Sequence, residues 1–569
     1  MSSSFISADD LRDYLKNSEP AFNAKVGLYQ RPGADNGYHT RLTSKDTTHP
    51  TCINFDYALA LLMTGEKSDR ERAIGILRTL LPLQDTVPTH LTYGIWPWYQ
   101  DEPLEMMNPP DWNWADFCGL RVAQVLRHHT GALPEDLMCD LRAALGHAAY
   151  SIFRRNIQTA YTNIAIMGSF VALAAAELLS DARIGEYGRR RLQDVIDALV
   201  ACDGFAEYNS PNYTIEIVNI CERALHLVGK PEHTNPIKEL HARVWGLIAD
   251  FFHPGTAQWG GPQSRSYQTW LEPGQVLFFT RRLGFALPQR PGVKSRPGSL
   301  LGGPSLYPEL PCPSALTERF RELPEKVVEQ EKRFLPPTMP RPPLIGKSWM
   351  TPTAALGSAN RALMWVQTRS VLGYLKTDED PALQFRLRFL HDGRDFSSAF
   401  NFNDQKGPHV LSVMSLILDG GSFHPTLNRP PDSSFEAKDF RMRFELLGCG
   451  VTAVKTKGFE LRGGKYRVAI LPGVSVFDGK AVTWEITKLE DGWAVDAICH
   501  AGEARVFPFK EIGRTLLCAG ISVLEGDEAA PEVEPMLDGE KDGEAAITWV
   551  RMGEKLQVKA WNRPRAENP

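Results

Sequence analysis

The chain reads as a two-part α+β protein: an N-terminal incomplete (α/α) toroid followed by a C-terminal antiparallel β-sandwich. Three observations predict it. Apolar residues recur at helical spacing from about residue 50 to 285, prolines crowd 286–348, and beyond them the apolar period is two. At 569 residues the chain also exceeds what one hydrophobic core usually supports, so more than one domain is expected.

The helical half contains "FDYALALLMTG", "ADFCGLRVAQVLRHH", "EDLMCDLRAALGHAAYSIF", "IAIMGSFVALAAAELL", "RRRLQDVIDALVAC", "IEIVNICERALHLVG" and "IKELHARVWGLIADFF". Ile164 to Leu179 is apolar on more than one face, which suits an inner helix packed on both sides. Alternating inner and outer helices make a toroid. A HEAT-like solenoid shares the periodicity, but no consensus repeats at a fixed interval.

Residues 286–348 read as an ordered linker. Pro288, Pro291, Pro297, Pro304, Pro308, Pro311 and others exclude a long helix or central strand, and one short helix is expected around "ALTERFRELPEKVVEQEKRF". After it, "LQFRLRFLHDG", "VLSVMSLILDGG", "FRMRFELLG", "YRVAILPGVSVFDG", "AVTWEITKLEDG" and "LQVKAWN" read as strands, several ending in Asp-Gly or Gly-Gly turns. The expected domains are therefore 1–285, 286–348 and 349–569.

Hydrophobic residues make up 43% of the chain, charged ones 23%, and the formal net charge is −5, so neither a nucleic-acid backbone nor an anionic membrane is favoured as partner. The start "MSSSFISADDLRDYLKN" lacks a basic region followed by an apolar run. No stretch is read as reaching the roughly 18 apolar residues of a membrane span, and a cytoplasmic location is expected. Nine cysteines, an odd number with no CxxC pair, read as free thiols in a reducing compartment. With no HExxH, cysteine pair, calcium loop or phosphate-binding glycine loop, neither metal nor cofactor is expected. "LRGGKYR" reads as a hairpin turn.

Four polar and aromatic segments interrupt the helices. The first, 89–117, holds His90, Trp96, Trp98, Trp112 and Trp114 with Asp111, Asn113 and Asp116 beside them. Indole faces suit the apolar C–H faces of sugar rings while carboxylates and amides take the hydroxyls; the alternative is that the tryptophans plug gaps between helices. In the second, "RRNIQTAYTNIAIMG", Asn163 opens an apolar helix whose free N–H groups favour an anion, or Thr162 and Asn163 merely cap it. The third, "DGFAEYNSPNYT", offers Glu207, Tyr208, Asn209, Ser210 and, on the first turn of the next helix, Tyr213; a capping arrangement with structural tyrosines is the alternative. In the fourth, "QWGGPQSRSYQTW", a glycine-proline turn aims Gln263, Arg265 and Tyr267. Arginine matches a carboxylate and would stabilise a neighbouring phenolate, unless Arg265 pairs locally with an acid such as Glu272.

The helical-then-β order, with "TNIAIMGSFVALAAAELL" and "DGFAEYNSPNYT", resembles the heparinase II/III-like and alginate-lyase-like group of polysaccharide lyases. "PDWNWADF" and "GGPQSRSY" mark a divergent subgroup. The resemblance implies β-elimination at a uronic acid in an acidic oligosaccharide or polysaccharide, where the substrate carboxylate is neutralised, the C5 proton removed and O4 protonated. It implies Asn163 as carboxylate neutraliser, Tyr213 as base or acid, and Glu207 as an orienting residue. The chemistry of Arg265 and Tyr267 adds an anion clamp and a second proton carrier. The histidine expected near the reacting carbon is missing from the best-placed loops except for His90; His409 or His424 of the β half are the other candidates. An inverting glycoside hydrolase, using Asp111 or Asp116 with Glu207 about 6.5–9.5 Å apart, and a non-catalytic carbohydrate-binding protein are the alternatives.

Overall fold

The computed structural model describes residues 8–33, 38–295, 306–334, 342–418 and 434–565. These fall into two compact units. Unit 1 comprises Met1–Ala201, Thr214–Trp245 and Gly298–Cys312; unit 2 comprises Cys202–Tyr213, Gly246–Pro297 and Pro313–Pro569.

The long helices, in chain order, are α1 (Ala8–Ser18), α2 (Thr51–Thr64), α3 (Lys67–Leu80), α4 (Trp114–His128), α5 (Glu135–Arg155), α6 (Thr162–Leu179), α7 (Ala182–Cys202), α8 (Tyr213–Leu227), α9 (Pro231–Phe251) and α10 (Pro273–Leu283). In unit 1, α2, α4 and α6 pack successively on one another, while α3 lies on α2 and α5 on α4 and α6, the alternation of inner and outer helices expected of the toroid. Small residues set the spacing. A Cβ on Gly119 of α4 would meet Val171 of α6 at 3.0 Å, and one on Gly188 of α7 would meet Leu173 of α6 at the same distance. Contrary to expectation, α6 is long and apolar enough to cross a membrane, but 78% of it is buried inside the protein, as befits a helix packed on several sides.

Unit 2 contains two large antiparallel sheets. One runs in spatial order Thr483–Leu489, Gly492–Pro508, Ser434–Leu447, Leu383–His391, Val371–Leu375, Ala354–Ala359, Ile345–Met350, Val328–Arg333. The other runs Arg361–Leu363, Ala399–Lys406, His409–Leu416, Leu516–Glu525, Tyr466–Phe477, Phe459–Gly463, Thr452–Lys455. Leu383, Phe385, Leu387 and Phe389 alternate inward from the first sheet and share one core with Val410, Met414, Val468 and Ile521 of the second, which makes a sandwich. Leu411 and Val413 point the other way, into a second cluster with Ile547 and Trp549 of a three-stranded sheet. Burial on both faces explains why "VLSVMSLIL" reads as a continuous apolar run.

The strands begin inside the segment read as linker. The helix expected there is limited to Ser314–Thr317 and a turn at Glu318–Phe320, and "VEQEKR" is an edge strand paired with Ile345–Met350. Its single buried residue, Val328, and otherwise polar face suit a sheet margin. The turn in "LRGGKYR" joins Phe459–Gly463 to Tyr466–Phe477, with Gly463 opposite Tyr466.

Candidate active site

In unit 2 the loop before α8 is fastened to the glycine-proline turn. The Asn209 amide donates to Gly260 O and Pro262 O, both at 2.8 Å, and its oxygen accepts from Trp259 Nε1. Ser210 Oγ donates to Arg265 O at 2.6 Å, and Ser264 Oγ to Tyr208 O at 2.7 Å. Gly261 is indispensable here: its φ is +72° and a Cβ would lie 2.4 Å from the Phe251 ring and 2.9 Å from Asn209 Nδ2. On its other side the turn is paired through Gln263 with Arg369 and through Ser266 N with Gln367 O. The backbone of Arg265 is therefore held from two directions, and its side chain has a fixed origin.

The Arg265 guanidinium then organises four side chains. Nε donates to Gln367 Oε1 at 2.6 Å, one terminal nitrogen to Glu207 Oε1 at 2.9 Å, and the other to the Tyr213 hydroxyl at 2.8 Å and the Tyr267 hydroxyl at 3.4 Å. The two hydroxyls are 2.7 Å apart. The guanidinium also lies 4.8 Å from the Tyr213 ring centre and 5.1 Å from that of Trp365. Burial disfavours the Arg265 charge, and the oxygens of Tyr213, Tyr267 and Glu207 more than offset it, so its pKa lies above the usual arginine value. For Tyr213 the balance is opposite to the sequence expectation. Burial raises the phenol well above its usual range, Arg265 pulls it down, and Tyr267 and Glu207 push it up again. The physical reason is burial, which outweighs the pull of Arg265; Glu207, paired with that guanidinium, adds a smaller push in the same direction. Tyr213 is a proton-holding group, and Arg265 is a positioning residue spread over four protein partners rather than an open anion clamp. Its acidic partner is Glu207, not Glu272, which caps α10.

In unit 1, α6 begins at Thr162, with Tyr161 at the N-cap position and no side-chain cap, so the capping role read for Thr162 is not used. Asn163, 5% exposed on the first turn, has a buried amide oxygen without a hydrogen-bond partner among the described residues. The aromatic segment divides by depth. Trp96 is fully buried with its Nε1 donating to Leu80 O, whereas Trp98, Trp112 and Trp114 are half-buried. Trp98 packs on Trp114 with ring centres 5.2 Å apart and donates to Asp111 at 3.0 Å; Trp112 donates to Leu91 O. Asn113 links Tyr161, its amide donating to the hydroxyl at 2.9 Å, to Arg155, which donates back to its oxygen at 2.9 Å. Asp116 lies beneath, sealed against Gly168, and burial pushes its carboxyl up to about 8 despite Arg155 3.8 Å away.

Of the residues expected at the site, Glu207, Tyr213, Arg265 and Tyr267 are brought together in unit 2. Trp98, Trp112, Asn113, Trp114 and Asn163 belong to unit 1. Several others are structural. Trp96 is core, Tyr208 is buried and stacked on Phe334 at 4.4 Å, Asn209 is the loop staple, and Gln263 is buried with its amide on Trp259 O. His90 is exposed and paired with Asp85 at 3.1 Å. His409 is buried in its strand against Ser522, and His424 lies outside the described residues. The sequence reading missed Gln367 and Trp365, which lie about a hundred residues from Arg265 behind a proline-rich stretch, and Arg155 and Tyr161, which stood unremarked in the second segment.

Fold and cluster together define a protein of helical array and β-sandwich that carries two phenols on a neutralised arginine, an arrangement suited to moving protons. The chain matches the family model described as a domain of unknown function (DUF8769) over residues 29–273, a stretch that includes Asn163, Glu207, Tyr213, Arg265 and Tyr267. No curated protein matches it. Among solved structures it is similar to heparinase III, at 11% identity and TM-score 0.41, covering 89% of this chain and 82% of that one. It is also similar to the Streptomyces coelicolor A3 chondroitin AC lyase in complex with chondroitin sulphate, at 9% identity and TM-score 0.43, covering 94% and 82%. A third is the heparan sulfate lyase HepC from Pedobacter heparinus, at 10% identity and TM-score 0.32, covering 99% and 91%.

Proposed function

We propose that the protein is a polysaccharide or oligosaccharide lyase that cleaves the bond to a uronic acid by β-elimination. The observation that carries the reading is the pair of tyrosine hydroxyls 2.7 Å apart on one arginine. Elimination takes one proton from C5, breaks the C4–O4 bond, forms a C4=C5 double bond and returns one proton to O4. Two hydroxyls in direct contact can serve both transfers and reset by passing a proton between them. Tyr267, at 39% exposure the more accessible, is assigned to take the C5 proton as its own proton passes to Tyr213 across the contact, while Tyr213, kept protonated by burial, gives its proton to O4, so both phenols end protonated. Arg265 reaches both oxygens and stabilises whichever carries charge during transfer.

The carboxylates a hydrolase would need are otherwise engaged. Glu207 is paired with Arg265, Asp116 is kept neutral, and Asp111 accepts from Trp98 and from Asn113 N. The test is a panel of uronate-containing oligosaccharides scored for a new ultraviolet-absorbing unsaturated sugar. Cleavage with incorporation of water and no chromophore would replace elimination by hydrolysis; binding without cleavage would leave a carbohydrate-binding protein.

A further inference from the structure

Within unit 1, Cys52 on α2 and Cys118 on α4 stand with their sulfur atoms 3.4 Å apart, the first partly exposed and the second buried. They lie 66 residues apart in the chain. A clamp one turn further along each helix brings them together. Arg121, one turn after Cys118, donates to both oxygens of Asp56, one turn after Cys52, at 3.0 and 2.7 Å, and to Phe117 O at 2.9 Å. Because Arg121 is buried, this two-pronged ion pair holds α2 against α4 and fixes the origin of each cysteine side chain. A disulfide needs its sulfurs about 2.0 Å apart. Rotation about the two Cα–Cβ bonds can close the remaining gap of about 1.4 Å without sliding one helix along the other.

The two thiols are unequal. Burial raises the Cys118 thiol well above its ordinary value, Cys52 adds to the rise, Arg121 pulls it down and Asp56 pushes it up again. Cys118 therefore keeps its proton and is shielded from reagents. Cys52 is the accessible member, on the first turn of α2, the end of the helix that favours negative charge.

We propose that Cys52 and Cys118 are a reversible dithiol–disulfide site whose oxidant is a low-molecular-weight disulfide. Cys52, as thiolate, attacks one sulfur of the reagent, forms a mixed disulfide and releases one thiolate. Cys118 then attacks Sγ of Cys52, closes the protein bond and releases the second. The cysteines lose two electrons, the reagent's S–S bond takes them up, and the two cysteine protons end on the two released thiols. The bond acts on the aromatic segment. Thr51, next to Cys52, donates its N–H to Trp98 O at 2.9 Å and its Oγ to Pro97 O at 2.7 Å, and Pro50 bridges to Tyr99. Trp98 packs on Trp114, one turn before Cys118. The segment thus hangs from the starts of the two helices that the bond joins, and oxidation stiffens the support of Trp98 and Trp114. None of this depends on elimination chemistry.

The test uses the full chain carrying Cys139→Ser and Cys449→Ser, which remove the exposed thiols. The protein is equilibrated with oxidised or reduced glutathione, free thiols are alkylated, and an unreduced digest is read by mass spectrometry. The oxidised sample should contain the Cys52 and Cys118 peptides linked and lighter by two hydrogens than their sum, and dithiothreitol should separate them. Closing so long a loop should raise Tm by roughly 5–10 °C. The Thr51 amide should exchange with deuterium about tenfold more slowly or better. Cys52→Ala and Cys118→Ala should each abolish the linked peptides and both shifts; Cys52→Ala, at the partly exposed position, decides alone if the buried variant does not fold. Alkylation of both cysteines after oxidised glutathione, or a glutathione adduct on Cys52 that never passes to Cys118, overturns the site. Linked peptides with unchanged Thr51 exchange overturn its hold on the aromatic segment.

Discussion

Tyr213→Phe removes one oxygen and separates chemistry from scaffolding. The lost hydroxyl accepts from Arg265 at 2.8 Å and contacts the Tyr267 hydroxyl at 2.7 Å. A hydrogen bond to a charged donor is worth about 1.5–3 kcal/mol when buried, and because the same Arg265 nitrogen keeps the Tyr267 hydroxyl as a partner, the expected stability loss is about 1 kcal/mol. That corresponds to a fall in Tm of roughly 2–4 °C for a domain of this size. Removing a proton carrier instead costs about 10²–10⁴ in rate, or about 3–5 kcal/mol in the barrier. The two effects differ enough to be told apart. Initial rates of unsaturated-sugar formation, measured beside thermal denaturation of the same preparation, should show turnover falling at least a hundredfold in a protein that is still folded. Tyr267→Phe, which leaves the Arg265–Tyr213 bond in place, should behave alike. A Tyr213→Phe enzyme within a few-fold of the native rate would refute the argument, since burial would then be holding a purely structural phenol.

Asn163→Ala should also lower turnover by about a hundredfold or more, the scale of losing a fixed charge-stabilising group, with little change in Tm because the amide oxygen has no partner to lose among the described residues. Asp116 predicts a pH dependence of stability. Its folded pKa of about 8 lies above the usual carboxylate value, so the folded chain holds an extra proton between about pH 4 and 8. The associated stability is full below that window and is lost as pH rises through 8; Asp116→Asn should flatten the fall in Tm measured across it. Asn209→Ala should cost about 3 kcal/mol in chemical denaturation, because Gly260 O, Pro262 O and Trp259 Nε1 all lose their partner in a buried place.

What the sequence made legible was whatever depends on neighbours along the chain. The helical repeats that became α2 and α4 to α9, the strands with period two and the hairpin at "LRGGKYR" are set by residues a few positions apart, and each was readable. The edge strand at Val328–Arg333 was not, because only pairing with Ile345–Met350 separates it from a polar helix. Depth was equally hidden. Trp96 and Trp98 stand two residues apart in "IWPWY", yet one is core and the other half-buried, a difference decided by Leu80 and Asp111 rather than by the segment itself. Asn209 looked like a sugar ligand because its partners at Gly260 and Pro262 lie more than fifty residues ahead. The phenol on Arg265 makes the same point about sign. The sequence supplied tyrosine beside arginine, from which a stabilised phenolate follows, but burial of the phenol outweighs the arginine, and Glu207, 58 residues away from that arginine, adds a smaller push in the same direction. A reaction scheme built on the pair alone would make Tyr213 a resting base; in its buried setting the same phenol keeps its proton and becomes the group able to give one away.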